Sequence, residues 1–266
     1  LTNVTIPDNV IYIGSSAFSG CSSLKSITFP FVGNKAGITS KDTYQYPFGY
    51  IFGTSSYSGG VATKQYYYGS STSTTTYDTY FIPSSLKTIT ITGGNILYGA
   101  FYNCSELMNV TIPDSATSIG YSAFSYCSRL TSITIPDNVT SIGYSAFRGC
   151  SRLEKIIVTE NNARYCNKGN CLIDKITQTL IRGCKNSIIP ADGSVISIDN
   201  YAFSDCIGLA SIEIPDSITS IGLGAFNGCS SLNNITLPFI GESKTASSGY
   251  NQVFGYIFDY TTTSSS

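Results

Sequence analysis

The chain contains no histidine and no tryptophan among its 266 residues. Without histidine, general acid-base catalysis would depend on carboxylates or lysines, and a zinc site would lack its usual nitrogen ligand. Without tryptophan, a carbohydrate site would lack the aromatic residue that most often stacks on sugars. These two absences argue against an enzyme and against bound metal, and they weaken the case for sugar binding.

Charge is scarce and evenly balanced in this sequence. Lys and Arg together number 15, Asp and Glu number 16, and the formal net charge is -1. This balance leaves no basic stripe for nucleic acid and no cationic face for anionic lipid. The chain also has no run of about 18 apolar residues, which a membrane helix needs. We therefore expect no nucleic-acid partner and no membrane insertion within this segment.

The dominant feature that is present is a repeat of 23 residues. Residues 130–152 read LTSITIPDNVTSIGYSAFRGCSR, and close copies occupy residues 1–23, 107–129 and 209–231. A fixed period of this length is typical of a solenoid, because one repeat cannot bury its apolar face without its neighbours. Since Leu1 already opens a repeat, we expect the chain to be trimmed from a longer protein.

Each repeat predicts the same series of local structures. Alternation places Ile133 and Ile135 on one face of a strand, and Pro136 ends the strand because it cannot donate to a ladder. A short apolar segment then leads to residues 144–150, which are too few for a free-standing helix and predict one helical or 3₁₀ turn. Each coil should thus contain one long strand, one short strand and one helical corner that buries its Phe.

The pattern L-x-x-I-x-I-P-x-x-V-x-x-I-G-x-x-A-F-x-x-C resembles the BspA-type leucine-rich repeat of bacterial and some protist surface proteins. The resemblance covers most of residues 1–30 and 82–238. It implies an α/β fold, namely a right-handed, horseshoe-like leucine-rich-repeat solenoid with a parallel β-sheet, short helical or 3₁₀ corners and inserted β-hairpins. It also implies an extracellular or cell-surface location and protein-protein contact, with no shared catalytic site, cofactor or metal.

We expect a single solenoid over residues 1–266, interrupted by three irregular segments. Residues 31–80 form an insertion rich in Tyr, Ser and Thr, in which strand-like residues 63–68 and 77–82 predict a hairpin. Residues 153–208 form an irregular, hairpin-bearing repeat whose basic residues we expect on a solvated face: Arg164, Lys168, Lys175, Arg182 and Lys185. Residues 239–266 form a partial second copy of the first insertion, because the sequence FGYIF at residues 48–52 returns at residues 254–258.

Six of the nine cysteines occupy the same repeat position: Cys21, Cys104, Cys127, Cys150, Cys206 and Cys229. Parallel side chains in a ladder do not converge as a disulfide requires, so we predict six buried free thiols. Cys166, Cys171 and Cys184 lie off the ladder, and for them a disulfide between two of the three remains an alternative to free thiols.

The first candidate recognition surface is the insertion, which holds nine of the twenty tyrosines of the chain. Tyr, Ser and Gly together are the composition that antibody loops use for binding. The candidate residues are Tyr44, Tyr46, Tyr57, Tyr66, Tyr68 and Tyr77. The alternative is that these rings pack the insertion against the solenoid, and the two roles are not exclusive.

The second candidate surface is formed by outward positions of the regular strands. They carry small neutral side chains with hydroxyl or amide groups: Thr88, Thr90, Asn109, Thr111, Ser132 and Thr134. Such a face offers hydrogen bonds without electrostatic steering. The alternative is that Ser and Thr simply suit a closely spaced parallel sheet.

Taken as a whole, the sequence favours a non-catalytic binding or adhesion module on the cell surface or secreted. The expected partners are surface or matrix proteins of a host or of neighbouring cells, with glycans as the alternative. A carbohydrate-binding surface module and a structural spacer in a larger surface protein are the other two classes. The recurring Asp after each Pro indicates a turn and not an active site, because an active site is usually singular.

Overall fold

The computed structural model describes residues 1–38, 47–68, 75–245, 252 and 254–259, although the side chains of residues 67, 68, 75 and 76 are not part of the description. The chain forms two compact units. Unit 1 consists of residues 1–150 and 159–163, and unit 2 of residues 151–158 and 164–266. Each unit is a β-solenoid, in which parallel strands of successive coils pair side by side.

The described residues of unit 1 form nine strands. They are β1 (Asn3–Thr5), β2 (Ser26–Phe29), β3 (Gly60–Tyr68), β4 (Thr75–Pro83), β5 (Thr88–Ile91), β6 (Asn109–Thr111), β7 (Ser118–Ile119), β8 (Ser132–Ile135) and β9 (Ser141–Ile142). Strands β1, β2, β5, β6 and β8 pair in that order in one parallel sheet, and the short strands β7 and β9 pair in a second. In the two coils of unit 1 that have both, the long strand (β6 or β8) and the short strand (β7 or β9) therefore lie in different sheets.

The register of the large sheet follows the repeat. Ile27 pairs with Ile89, and Ile89 pairs with Val110, so that one position of each coil lies beside the same position of the next. All three side chains are buried in the core. The alternate residues Thr90 and Thr111 are also paired, and they occupy the opposite, more exposed face. Alternation with period two thus divides each strand between core and surface.

The predicted helical corners are not confirmed. The corner at residues 120–127 consists of tight turns, in which the Ala123 N–H donates to the Gly120 oxygen at 3.2 Å and the Cys127 N–H to the Phe124 oxygen at 3.1 Å. No α-helix occurs in the described part of the chain, and the 3₁₀ helices Phe48–Ile51 and Phe254–Phe258 belong to the insertion and its second copy, outside the regular repeat corners.

The physical reason is a left-handed backbone at two positions of every corner. Ser122 has φ of 51° and Tyr126 has φ of 61°, and a right-handed helix cannot continue through either residue. Positive φ occurs at the same two positions of the other five corners: Ser16 and Gly20, Gly99 and Asn103, Ser145 and Gly149, Tyr201 and Asp205, Gly224 and Gly228. Small or polar residues occupy most of these positions, because such residues adopt the left-handed conformation at a lower cost than others.

A column of phenylalanine rings runs through the corners of unit 1. The Phe101 and Phe124 rings are 5.3 Å apart and 4° from parallel, and the Phe124 and Phe147 rings are 5.7 Å apart and 2° from parallel. Phe124 is fully buried. The rings therefore supply the corner side of the core with large apolar contacts between every pair of coils.

The insertion contributes a corner of its own to this column. The Phe18 N–H donates to the Ile51 oxygen at 2.8 Å, and the Phe48 N–H donates to the Ala100 oxygen at 2.9 Å. The same pattern links regular corners, since the Phe101 N–H donates to the Ala123 oxygen at 2.8 Å. The 3₁₀ helix Phe48–Ile51 thus occupies the place of a regular corner between the first two coils.

The second copy of the insertion docks in the same way within unit 2. The Phe226 N–H donates to the Ile257 oxygen at 2.8 Å, which is the equivalent of the bond between Phe18 and Ile51. The Phe226 and Phe258 rings are 6.4 Å apart. The recurring FGYIF sequence therefore makes the same corner contact in both units.

The predicted hairpin of the insertion is present as β3 and β4, which pair antiparallel from Gly60 and Pro83 to Tyr68 and Thr75. Its predicted tip, residues 69–76, falls largely outside the described residues. Gln65 ties the hairpin to the stack, because its side chain accepts from the Gly49 N–H at 2.5 Å and donates to the Ala100 and Tyr102 oxygens at 3.1 and 3.2 Å. The hairpin is thus fixed to unit 1 by a buried polar group.

In the part of unit 2 that the structure describes there are eight strands. They are β10 (Lys155–Val158), β11 (Tyr165–Lys168), β12 (Cys171–Asp174), β13 (Thr179–Arg182), β14 (Ser197–Ile198), β15 (Ser211–Glu213), β16 (Ser220–Ile221) and β17 (Asn234–Thr236). Strands β11, β12 and β13 form an antiparallel meander, and β13 continues as a parallel pair with β14. The irregular repeat is therefore joined to the regular stack through β13.

Arg182 corrects one expectation about the irregular repeat. It is 2 % exposed, so it does not belong to a solvated basic face. Its guanidinium donates from Nη1 to the Tyr201 oxygen at 3.2 Å. The reason is the alternation of β13, which places Leu180 and Arg182 on the buried face.

The nine cysteines, all in the described part of the chain, are free thiols in this structure. Ladder thiols donate to the backbone of the preceding corner, as in Cys127 to the Phe101 oxygen at 3.2 Å and Cys150 to the Phe124 oxygen at 3.2 Å. Burial raises the pKa of Cys127 well above its ordinary value. Cys127 and Cys150 therefore act as small core residues with one weak hydrogen bond each, whereas Cys21 is only partly buried, contrary to the prediction for the ladder.

Candidate recognition surface

The predicted tyrosines of the insertion have separate positions. Tyr44 and Tyr46 lie outside the described residues, as does the side chain of Tyr68. Tyr57 is half-buried and packs against Gly60, where an added Cβ would lie 3.1 Å from its ring. Burial and, to a lesser degree, Cys21 raise the pKa of Tyr57 to about 12. Tyr57 therefore packs the base of the hairpin.

Tyr66 and Tyr77 lie opposite each other on the hairpin strands. Their ring centroids are 5.7 Å apart, and the Lys64 ammonium lies 3.5 Å from the Tyr77 centroid and 5.3 Å from that of Tyr66. Tyr77 is 48 % exposed. The hairpin thus presents two aromatic rings and one cation that is held over their faces.

Three tyrosines of the corners form a row beside the hairpin. Tyr98, Tyr121 and Tyr144 occupy one repeat position in three successive coils. The first two rings are 5.3 Å apart and 10° from parallel, and the second two are 5.6 Å apart and 25° from parallel. Tyr121 and Tyr144 are 44 % and 38 % exposed. The row therefore continues the repeat on the outer side of the corners.

Tyr102 and Tyr126 connect this row to the hairpin. The Tyr66 ring meets Tyr102 edge to face at 4.8 Å, and Tyr102 meets Tyr126 edge to face at 5.5 Å. Edge-to-face contacts are a preferred geometry because the positive rim of one ring meets the negative face of the other. We call the resulting group the tyrosine surface: Tyr66, Tyr77, Tyr98, Tyr102, Tyr121, Tyr126 and Tyr144.

Two glycines allow these rings and the hairpin to approach the coils. A Cβ at Gly99 would lie 3.1 Å from the Tyr66 oxygen, and a Cβ at Gly149 would lie 2.5 Å from the Tyr126 ring. Both glycines have positive φ, at 56° and 72°. Glycine therefore suits these two positions for two reasons: it adopts positive φ readily, and it has no Cβ to collide with the neighbouring atoms.

A cleft of about 210 Å³ lies within the tyrosine surface. Five of the seven tyrosines form its walls, namely Tyr66, Tyr98, Tyr102, Tyr121 and Tyr126. Ser122, Ser125, Ser145 and Arg148 complete the lining. The cleft thus combines flat aromatic faces with hydroxyl groups and one guanidinium, and we call it the tyrosine cleft.

The Tyr102 phenol of the cleft is neutral at physiological pH. Burial, and to a lesser degree the neighbouring Tyr126 and Tyr66, raise the pKa of Tyr102 to about 12, while Arg148 opposes the shift. A phenol that keeps its proton can both donate and accept a hydrogen bond. Tyr102 therefore adds no negative charge to oppose Arg148.

Sequence reasoning identified Tyr66 and Tyr77 but missed the five tyrosines of the corners and Arg148. A signal for the row was present, because Tyr98, Tyr121 and Tyr144 follow one another at intervals of 23 residues. In a solenoid of that period such residues must lie side by side. The contact of Tyr102 with Tyr66 had no such signal, since it depends on how the inserted hairpin docks.

The predicted polar residues of the strands lie together on the outer face of the large sheet. Thr88 pairs with Asn109, Asn109 with Ser132, and Thr90 with Thr111. Thr134 is exposed on β8. We call these six residues the polar face, and none of them carries charge.

Unit 2 has a separate groove of about 440 Å³ on its strands β15 and β17. Ser211 and Glu213 of β15 and Asn234 and Thr236 of β17 contribute its polar lining. Ile188, which is 75 % exposed, lies at the same groove. This groove is larger than the tyrosine cleft, but its lining has no aromatic ring.

Within the described residues, no helix combines the length and apolar composition that a membrane span requires. Across the same part of the chain, no three side chains of Cys, Asp or Glu are grouped as a metal site would need.

The repeat determines the family. A model of the BspA type leucine-rich repeat region matches residues 1–38, 74–179 and 174–258 in six copies. The chain belongs to the BspA-type leucine-rich repeat family. The family that the sequence pattern predicted is thus confirmed, and among curated proteins no sequence matches this BspA-type chain.

Several solved structures resemble the BspA-type chain. A leucine-rich cell surface protein from Faecalibacterium prausnitzii A2-165 has 30% identity and a TM-score of 0.55, with 89% of this chain and 61% of that chain covered. The pneumococcal vaccine antigen PcpA has 19% identity and a TM-score of 0.49, with 89% and 60% covered. A protein from Bacteroides ovatus ATCC 8483 has 24% identity and a TM-score of 0.46, with 89% and 55% covered. The chain thus spans about three fifths of the length of the first two proteins.

Proposed function

We propose that this chain is a non-catalytic binding module, displayed on the cell surface or secreted, which contacts other proteins through its tyrosine surface. The observation that carries the proposal is the convergence of seven tyrosines from an inserted hairpin and from three successive corners. Four of these rings, Tyr77, Tyr121, Tyr126 and Tyr144, are between 36 % and 48 % exposed. Packing alone would not require so many partly exposed rings in one place.

The chemistry of the tyrosine surface suits a protein partner. Tyrosine is enriched in protein interfaces because one ring provides a large contact area at a small cost in conformational entropy. The rings also hold one another through edge-to-face and stacked contacts, so little order has to be gained on binding. The expected partners are surface or matrix proteins of a host or of neighbouring cells. The description of the Faecalibacterium relative as a cell surface protein supports that location.

The polar face is the secondary contact region in this proposal. Its neutral rows of Thr, Asn and Ser supply hydrogen bonds but no aromatic anchor, and anchors usually dominate binding energy. Thr111 and Asn109 are exposed on β6 and are available to a partner that extends across the coils.

The test is a binding screen against immobilised host-matrix and cell-surface proteins. Tyr77→Ser combined with Tyr121→Ser should weaken binding to any protein captured by the wild-type chain by about 10-fold or more, since buried aromatic anchors each contribute about 1–2 kcal/mol or more. Both rings are nearly half exposed, at 48 % and 44 %, so the melting temperature should change little.

The matched control is Tyr12→Ser, because Tyr12 is 58 % exposed in unit 1 but takes no part in the tyrosine surface. It should leave binding unchanged. An equal loss in the control, or a loss produced only by changes at Asn109 and Thr111, would contradict the assignment. Retention of binding by all variants would contradict it as well.

A further inference from the structure

The structure assigns a second interaction surface to the chain, namely the free edge of β15 in unit 2. An extended segment of a partner protein adds to this edge as a further strand, with a Lys or Arg of that segment beside Glu213. This surface goes beyond the tyrosine surface and does not rest on it, because every residue involved belongs to unit 2.

Strand β15 has a partner on one side only. Among the described residues it pairs with β17, through bonds such as the Ile214 N–H to the Thr236 oxygen at 2.9 Å, and with no strand on the other side. Alternate residues of a strand direct their backbone groups to the same neighbour, so Ser211 and Glu213 direct theirs away from β17. Such an edge is a template on which another chain can pair.

The preceding coil does not supply the missing partner. In a regular coil of unit 1, Asn109 occupies the repeat position of Ser211, and its backbone N–H donates to the Lys87 oxygen of the preceding coil at 3.0 Å. In unit 2 the segment at residues 187–191 lies in that place. Within the described part of the chain, no strand pairing or backbone hydrogen bond joins this segment to β15.

The backbone of residues 187–191 is directed elsewhere. The Ser187 N–H donates to the Cys184 oxygen at 3.0 Å, and the Ile188 N–H donates to the Gly169 oxygen at 2.8 Å. Pro190 has no N–H to donate. The irregular repeat therefore holds this segment and leaves the edge of β15 to an external strand.

The groove of unit 2 lies along this edge and has room for a short strand. Its volume of about 440 Å³ falls within the range of about 300–1,000 Å³ that is usual for binding sites. Strand β15 has 3 residues, which correspond to about 10 Å of an added strand. An extended peptide can pair with the backbone of both Ser211 and Glu213, and such main-chain bonds supply the affinity in strand addition.

Glu213 determines which side chain the added strand prefers. It is exposed, it is the single charged residue among the described residues that line the groove, and it makes no ion pair within them. Neighbouring strands lie about 4.8 Å apart, so a cation on the added strand can reach it. Ile188 lines the same groove and is 75 % exposed. Lys and Arg suit both, because their apolar stem can cover Ile188 while the charged end contacts Glu213.

The test is an array of seven-residue peptides rich in Val and Thr, whose central residue is Lys, Arg, Ser or Glu. The wild-type chain should bind the Lys and Arg peptides about 10-fold more tightly than the Glu peptide, because like charges on neighbouring strands repel. A second set carries one N-methyl group at each backbone amide in turn. Methylation should weaken binding by about 10-fold or more at every second amide and little at the amides between them, since alternate amides face β15.

Glu213→Gln should weaken binding of the Lys and Arg peptides by about 3- to 5-fold and remove their preference over the Ser peptide, as expected for an exposed ion pair. Asp216→Asn is the matched control, because Asp216 is an exposed carboxylate of unit 2 that does not line the groove. It should keep the preference, and thermal unfolding should show that both variants are folded. In NMR spectra of the isotope-labelled chain, the Lys peptide should shift the amide signals of Ser211 and Glu213.

Equal binding of the Lys, Ser and Glu peptides would overturn the inference, as would binding of none of them. Methylation effects without alternation, or unchanged amide signals of Ser211 and Glu213 on binding, would exclude strand addition at β15. A dimer of this chain that excludes the peptides would assign the edge to a second copy and contradict the proposal. None of these results would affect the test of protein binding with Tyr77 and Tyr121, which belong to unit 1.

Discussion

The Gln65 side chain should decide whether the hairpin, and with it Tyr66 and Tyr77 of the tyrosine surface, stays attached to the coils. The side chain is 0 % exposed and bridges three backbone groups: it accepts from the Gly49 N–H and donates to the Ala100 and Tyr102 oxygens. Gln65→Leu keeps a similar volume but removes all three of these bonds, together with the contact of the Gln65 amide with the Cys104 sulfur at 3.5 Å. The Gly49 N–H then loses this acceptor, and the Tyr102 oxygen loses this donor.

The expected magnitude follows from these bonds. The Ala100 oxygen also accepts from the Phe48 N–H at 2.9 Å, so it keeps one partner. Two backbone groups remain affected, and each buried group left without its partner costs about 1–3 kcal/mol. Part of Tyr102 is exposed, so water can compensate there. We therefore expect the hairpin to open more easily by about 2–4 kcal/mol in the variant.

Native-state hydrogen exchange measures this opening directly. Peptides from β3 and β4 should lose protection by about 30- to 1,000-fold, the factor that corresponds to 2–4 kcal/mol. Peptides from β6 and β8 should exchange as in the wild type. Thr79→Ser, an exposed change on the same hairpin, is the matched control and should have no effect. Unchanged exchange of β3 and β4, or an equal loss throughout unit 1, would refute the role given to Gln65.

Three further predictions concern the core, the thiols and the phenols. Phe124→Ala should lower the free energy of unfolding by about 3–5 kcal/mol in denaturant titrations, because a fully buried ring between two others is lost. The exposed change Thr134→Ser should alter it little, and equal effects of the two changes would contradict the phenylalanine column. Cys127 and Cys150 should resist alkylation in the native protein because both thiols are buried, and burial also raises the pKa of Cys127. Both should react completely once the protein is unfolded without reductant, and a disulfide-linked peptide seen by mass spectrometry would contradict this prediction. Because burial raises the pKa of Tyr102 from 10.0 to about 12, its contribution to stability is present below about pH 10 and is lost as the pH rises through about 12. In unfolding curves measured over this pH range, Tyr102→Phe should reduce the loss of stability. An unchanged loss would argue that Tyr102 does not titrate in this way.

The repeat made most of the coil predictable from sequence. The alternation of Ile133 and Ile135 gave the strand and its buried face, and the 23-residue period gave the neighbours of each residue, as in Ile27 beside Ile89 across the insertion. These features depend on local periodicity, which one sequence displays.

The conformation of the corners was harder to predict from sequence, because it depends on the backbone angles of single residues. A-F-x-x-C has the spacing of one helical turn, yet Ser122 and Tyr126 adopt positive φ and hold the segment as turns. Tyrosine seldom takes this conformation, so its identity gave no warning. Docking of the corner against its neighbours, as in the Phe124 N–H to the Ala146 oxygen at 2.8 Å, favours the turns over a helix.

The candidate site was predictable only in part for a similar reason. The hairpin strands and Tyr66 and Tyr77 follow from composition and alternation, and the row of Tyr98, Tyr121 and Tyr144 could have been found from the period. The contact between the hairpin tyrosines and the corner tyrosines depends on the buried Gln65 and on the FGYIF corner that replaces a regular corner. Such long-range docking leaves no periodic mark in the sequence.

Oxidative footprinting of tyrosine side chains is the measurement that tests the central claim most directly. Hydroxyl radicals modify exposed rings, and the extent at each tyrosine can be compared between the free chain and its complex with a protein captured in the screen. The account predicts protection of Tyr77, Tyr121, Tyr126 and Tyr144, while Tyr12, with 58 % exposure, stays fully reactive. Unchanged oxidation of these four rings in a complex that has formed would contradict recognition through the tyrosine surface.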